Sequence, residues 1–241
     1  MNYEEFVPVM PEDDAMPKGL GRFPDEIDAV LSPLKERVRG LPTTVAGERR
    51  KFAHYLLLDA MSSAHAIELV VKSSRVLGTP PLADAIEPVV RHVVEKAIVI
   101  AYVARSNDER VVDRFLKTSA REWERSFGSA ESHPHLDLPV KELPKYKPMA
   151  EAACPELVEV FAKLSWISHP RSALPFSMQA YASADVTQYA QLRVAKALGW
   201  LEEALAVVLD AHDVINEEEV DEPDTRPYFL SKNEFTRDQS L

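Results

Sequence analysis

An all-α fold, an antiparallel bundle of five or six main helices, follows from three features of the sequence. Glycine is scarce, with 7 in 241 residues, and the 18 prolines fall mainly between stretches of helical periodicity. Within those stretches apolar residues recur every three or four positions, which lines one face of a helix. Few stretches alternate polar and apolar residues at period two, so strands are not expected.

The elements follow in order. Residues 1–23 read as an extended N-terminal arm, punctuated by Pro8, Pro11, Pro17, Gly19 and Gly21. A single helical domain spans 24–213. Its first helix starts near Pro24, carries Ile27, Val30, Leu31, Leu34 and Val38, meets Pro33, and ends at Gly40. A long helix over 45–77 presents Phe52, Leu56, Ala60, Ile67 and Val71, and stops at Gly78 with Pro80 and Pro81 behind it. The next, over 82–106, is apolar nearly all round, which puts it in the middle of the bundle. Asp108 is placed to cap an amphipathic helix over 108–127. Residues 128–150 read as a long loop rich in Pro and His. Pro155 opens a helix to about Ser168, and the last helix, over 184–212, repeats Val186, Ala190, Val194, Ala197, Leu201, Leu205 and Val208. Residues 214–241 form an acidic C-terminal tail bearing Tyr228, Phe229 and Phe235.

Composition narrows the classes of function. Hydrophobic residues at 46% and charged residues at 28% are ordinary for a globular chain long enough to bury a core without staples. Cys154 is the one cysteine, so no intrachain disulfide forms. The first 14 residues hold no basic stretch leading into an apolar run, and the most apolar segment, 89–103, is broken by Arg91, His92, Glu95 and Lys96. The expected location is cytoplasmic, with no membrane partner. A net charge of −11 repels nucleic acid on average, so broad DNA binding is not expected. Much of that acidity lies in the run Glu217, Glu218, Glu219, Asp221, Glu222 and Asp224.

No phosphate loop, paired-cysteine motif, metalloprotease motif or nucleophile elbow is present, and no cofactor is indicated. Three polar constellations remain. On the long second helix His54, His65 and Glu68 share a face with Met61 and Lys72, a candidate metal set or a solvated stripe. On the apolar third helix Arg91 and Glu95 stand one turn apart; a buried charge needs a partner, so they form a register-fixing bridge or jointly hold a third group. Near a later helix end Ser165 and His169 also stand one turn apart, with Pro170 ending the helix. The helix dipole there favours a cationic His169, which suits either a capping residue or a general acid or base.

Arg91-x-x-x-Glu95, the Asp108-Glu109 helix start and Leu164-Ser165-x-x-x-His169-Pro170 resemble a set of bacterial all-helical families of unknown function. Their pattern is Arg-Ser-x-x-Glu on one helix and Tyr-x-x-Leu-Ser-x-x-x-His-Pro on a later one. This chain has His92 where Ser follows Arg, and Phe161 where Tyr precedes Leu-Ser. The resemblance spans roughly residues 55–210 and implies that Arg91, Glu95, Ser165 and His169 converge in one pocket. At fold level these families are similar to HEPN domains, many of which are ribonucleases or nucleotide-binding toxins and defence proteins. The Arg-to-His pattern of those domains has one formal match here, Arg49 and His54, on an early helix where that motif does not normally sit.

Three readings of function follow. The first is a helical interaction or regulatory module that docks a protein partner or a second copy through helical faces or tails. The second is an HEPN-like ribonuclease or nucleotide-processing enzyme with RNA as partner. In it Arg91 stabilises phosphate charge, Glu95 orients Arg91, and His169 acts as acid or base. The third is a metal- or small-molecule-binding bundle using His54, His65 and Glu68.

Overall fold

The computed structural model describes residues 23–42, 45–73, 80–127, 134–167 and 186–217. Among them are seven α-helices and one short 3-10 turn, and no strand. The helices are α1 (Phe23–Arg39), α2 (Glu48–Ser73), α3 (Pro80–Arg105), α4 (Val111–Phe127), α5 (Tyr146–Ala153), α6 (Leu157–Ile167) and α7 (Val186–Glu217). No described helix is long and apolar enough to cross a membrane.

Local chemistry sets the helix ends. Asp25 and Glu26 sit in the first turn of α1 and Arg37 and Arg39 in its last, both favourable to the helix dipole. The amide of Gly40 closes α1 on the carbonyls of Glu36 and Arg37. Gly47 has φ of 83°, a conformation that suits glycine, and its carbonyl takes the amide of Lys51 as α2 begins. The expected cap at Asp108 is present: its carboxylate accepts the amide of Arg110 at 2.9 Å. At the far end of α3, the Arg49 guanidinium donates to the carbonyl of Val103, which also takes the Ser106 amide, and to that of Ser106.

Helix α3 is the hub. Val90, Val93, Val94, Ala97, Ile98, Ile100 and Val103 are all fully buried, and α3 packs against α2, α5, α6 and α7. Cross-helix pairs fix the directions. Asp28 and Lys35 of α1 meet Lys72 and Glu68 of α2, so that pair is antiparallel. Arg49 and Asp59 of α2 meet Val103 and Lys96 of α3, again antiparallel. The expectation of antiparallel neighbours stops there. Glu87 and Arg105 of α3 meet Arg193 and Asp210 of α7, so the two central helices run parallel. Helices α4, α5 and α6 intervene in sequence between the two.

The segment read as a loop to residue 150 already forms α5 from Tyr146. Tyr146, Met149, Ala150 and Ala153 do have helical spacing, but over eight residues the stripe is short, and Pro148 masks it. Upstream, Lys117 donates to the carbonyl of Leu138, Arg114 to those of Lys141 and Glu142, and the Thr118 hydroxyl accepts the amide of Leu143. These bonds strap 138–143 along α4.

Candidate functional site

The Arg91–Glu95 bridge forms within α3, with Arg91 Nε donating to Glu95 Oε1 at 3.0 Å. The guanidinium also lies 5.9 Å above the Phe161 ring of α6, a cation–π contact. Phe161 in turn packs on Tyr146 of α5, with ring centroids 5.5 Å apart. Three helices therefore converge on this bridge. Burial pushes the Glu95 carboxyl up, while Arg91 opposes that and Glu122 of α4 adds to it. Burial, helped by Glu95 and Glu122, pushes the Tyr146 phenol up to about 12.

Ser165 follows Phe161 by one helical turn, on the same face of α6. Its hydroxyl oxygen is buried without a hydrogen-bond partner among the described residues. Arg91, Glu95 and the Phe161–Ser165 face thus belong to one side of the molecule. His169 lies outside the described residues. Tyr146 lies in a stretch that the sequence predicts to be loop, where nothing local marks it as a site residue.

The second constellation divides. His65 Nδ1 lies 3.1 Å from Glu68 Oε2. His54 is eleven residues before His65, roughly 16 Å along the helix at 1.5 Å per residue, and does not join them. Among the described residues no group of three His, Cys, Asp or Glu side chains could hold a metal. Glu68 is occupied by cations: Lys35 of α1 donates to it at 2.9 Å and Lys72 at 2.7 Å. Those two ammonium groups hold its carboxyl down at about 2.

His54 belongs instead to a polar junction of α1, α2 and α7. Its ring packs on that of His212, with centroids 4.9 Å apart, and both residues are buried. Around them, Arg37 of α1 forms a two-pronged bridge to Asp213 of α7 and also lies 3.3 Å from His212 Nδ1. Asn216 Nδ2 lies 3.0 Å from the same nitrogen, and Arg50 of α2 donates to the carbonyl of Asn216 at 2.8 Å. Burial lowers His54, and burial together with His54 and Arg37 lowers His212 to about 4. The sequence carried a faint local signal for this junction. His212 and Asn216 are one turn apart, as are Arg50 and His54, yet nothing local says that the two pairs meet.

No family model, curated protein or solved structure matches this chain.

The remaining buried charges are paired between helices. Lys96 of α3 meets Asp59 of α2, with burial lowering its ammonium to about 8. Arg193 of α7 clasps Glu87 through both carboxylate oxygens and reaches Asp84 at 2.7 Å. Cys154 is buried, and burial raises its thiol to about 11, which keeps it protonated and unreactive near neutral pH.

Proposed function

We propose that the protein is a helical interaction module, and that the outer face of α2 docks an acidic, amphipathic helix of a partner protein. The observation that carries this reading is the composition of that face. Its exposed residues are Tyr55, Leu58, Ser62, His65, Ala66, Leu69, Val70 and Lys72. Leu58 and Leu69 are 47% and 56% exposed, among the largest apolar exposures in the described residues. No carboxylate stands among the exposed residues of α2, in a chain of net charge −11. Such a strip suits an apolar helix face flanked by acid. The charged side chains that chemistry would use, Arg91 and Glu95 among them, are engaged with one another.

The test uses a fluorescein-labelled acidic helical peptide, apolar at every third and fourth position, titrated into the protein by anisotropy. Saturable binding to wild type, weakened at least tenfold in Leu58→Glu/Leu69→Glu and weakened by salt, supports the module. Equal binding by the two proteins, or none by either, overturns it. A second reading, an HEPN-like ribonuclease or nucleotide-processing enzyme using Arg91 and His169, draws on the partnerless Ser165 hydroxyl beside the Phe161–Arg91 contact. RNA cleavage by the same preparations, lost in Arg91→Ala, would favour that reading.

A further inference from the structure

The α1–α2–α7 junction has a hydrogen-bond pattern that fixes the tautomer of both histidines. His54 Nδ1 lies 3.0 Å from the carbonyl oxygen of Arg50, which only accepts, so Nδ1 carries the proton. The lone pair of His54 is then on Nε2, which is buried without a partner among the described residues. His212 is the opposite case. Its Nδ1 lies 3.3 Å from the Arg37 guanidinium, which only donates, so Nδ1 is the acceptor. The Asn216 amide, 3.0 Å from Nδ1 and 3.1 Å from Nε2, sits between the two ring nitrogens and donates to the His212 carbonyl at 2.9 Å.

A second proton is therefore unwelcome at either ring. On His54 it would sit at Nε2, with no acceptor in reach. On His212 it would sit at Nδ1, pointing at the Arg37 guanidinium. The charged surroundings agree. Arg37 faces the pair from α1 and Arg50 from α2. Arg105 of α3 is paired with Asp210 of α7 at 3.2 Å. Among the described residues the carboxylate at His212 is that of Asp213, 4.0 Å from Nδ1, and Arg37 already holds both its oxygens. A protonated His212 could take Asp213 only by competing with Arg37, which is the tie between α1 and α7.

We propose that the packed His54–His212 pair is a proton-operated latch, which holds the last two turns of α7 on α1 and α2 and releases them when protonated. Only neutral rings satisfy the junction, so the released form gains protons that the latched form excludes. The sign follows. Both histidines are lowered in the folded chain, so the open form binds protons first as pH falls below about 6.5. The latch is fully engaged above that value and weakens toward pH 4. In sequence the acidic run beginning at Glu217 follows directly on the latched turns.

Hydrogen exchange read by mass spectrometry, corrected for intrinsic rates, tests this on the full chain at pH 7.5 and 5. Protection of residues 209–217 should fall at least tenfold at pH 5 while that of α3 is kept. In His54→Gln/His212→Gln the selective loss should disappear. Unchanged protection of 209–217 in wild type overturns the latch, and so does the same acid loss in the double variant, which would assign it to carboxylates such as Asp213. If the double variant does not fold, titration of the wild-type imidazole resonances decides. Both rings should titrate below 6.5, and either one titrating at or above that value refutes the proposal.

Discussion

Replacing Arg193 by methionine should be among the most damaging single changes in the chain. Glu87 is 2% exposed at its side chain and Arg193 13%, and the guanidinium engages both oxygens of Glu87 while also reaching Asp84. Methionine fills much of the volume but leaves Glu87 charged, buried and without its cation. Breaking one side of such a pair costs about 3–5 kcal/mol. At about 2–4 °C per kcal/mol for a chain of this size, the melting temperature should drop by roughly 6–20 °C at pH 7.5. Burial already pushes the Glu87 carboxyl up even with Arg193 beside it, and Asp84 pushes it the same way. Without Arg193 the folded-state value rises further above the unfolded one. A carboxyl raised in this way stabilises the fold below its unfolded value and loses that contribution as pH rises. The variant should therefore recover part of its deficit at pH 5. Arg193→Met/Glu87→Met removes both charges and should return close to wild type or exceed it. Calorimetry at the two pH values measures all three proteins. A single variant within about 1 kcal/mol of wild type, or a double variant as unstable as the single, would refute the reasoning.

Two further outcomes are expected. Gly199→Ala should raise stability by about 0.5–1 kcal/mol, because glycine is costly in mid-helix and a Cβ there would meet nothing within 4 Å; a lower melting temperature would contradict this. Glu68→Gln should cost about 1–3 kcal/mol near neutral pH, since the charged hydrogen bonds from Lys35 and Lys72 lose their carboxylate. Glu68 is held down at about 2, against an ordinary 4.5, so its contribution is complete above about 4.5 and disappears as pH falls toward 2. The gap between wild type and variant in acid denaturation should close across that window, and a gap that persists at pH 2 would show that charge is not the cause.

How much was legible depended on range along the chain. The stripe Ile27, Leu31 and Leu34, the all-round apolar third helix and the Asp108 cap were readable because each is decided within a few turns of its own helix. The same holds for Arg91 with Glu95, which are neighbours on any helix that forms. The second constellation misled in part, because a common face does not bring residues three turns apart into contact. His65 reaches Glu68, while His54 turns to a partner 158 positions away. Tyr146 escaped notice because eight residues interrupted by proline give too little periodicity to stand out.

By itself the sequence determined an all-helical chain, most of its helix boundaries, and the ion pairs that close within a single helix. Those outcomes rest on backbone geometry, proline and glycine placement, and the repeat of 3.6 residues per turn. Only the tertiary structure decided that α3 and α7 run parallel, that Arg193 clasps Glu87 across 106 positions, and that His54 packs against His212. The physical reason is that direct pairing energy acts over a few ångströms of space. Which distant residues come that close is set by how all the apolar faces pack at once, and no local window of sequence contains that information.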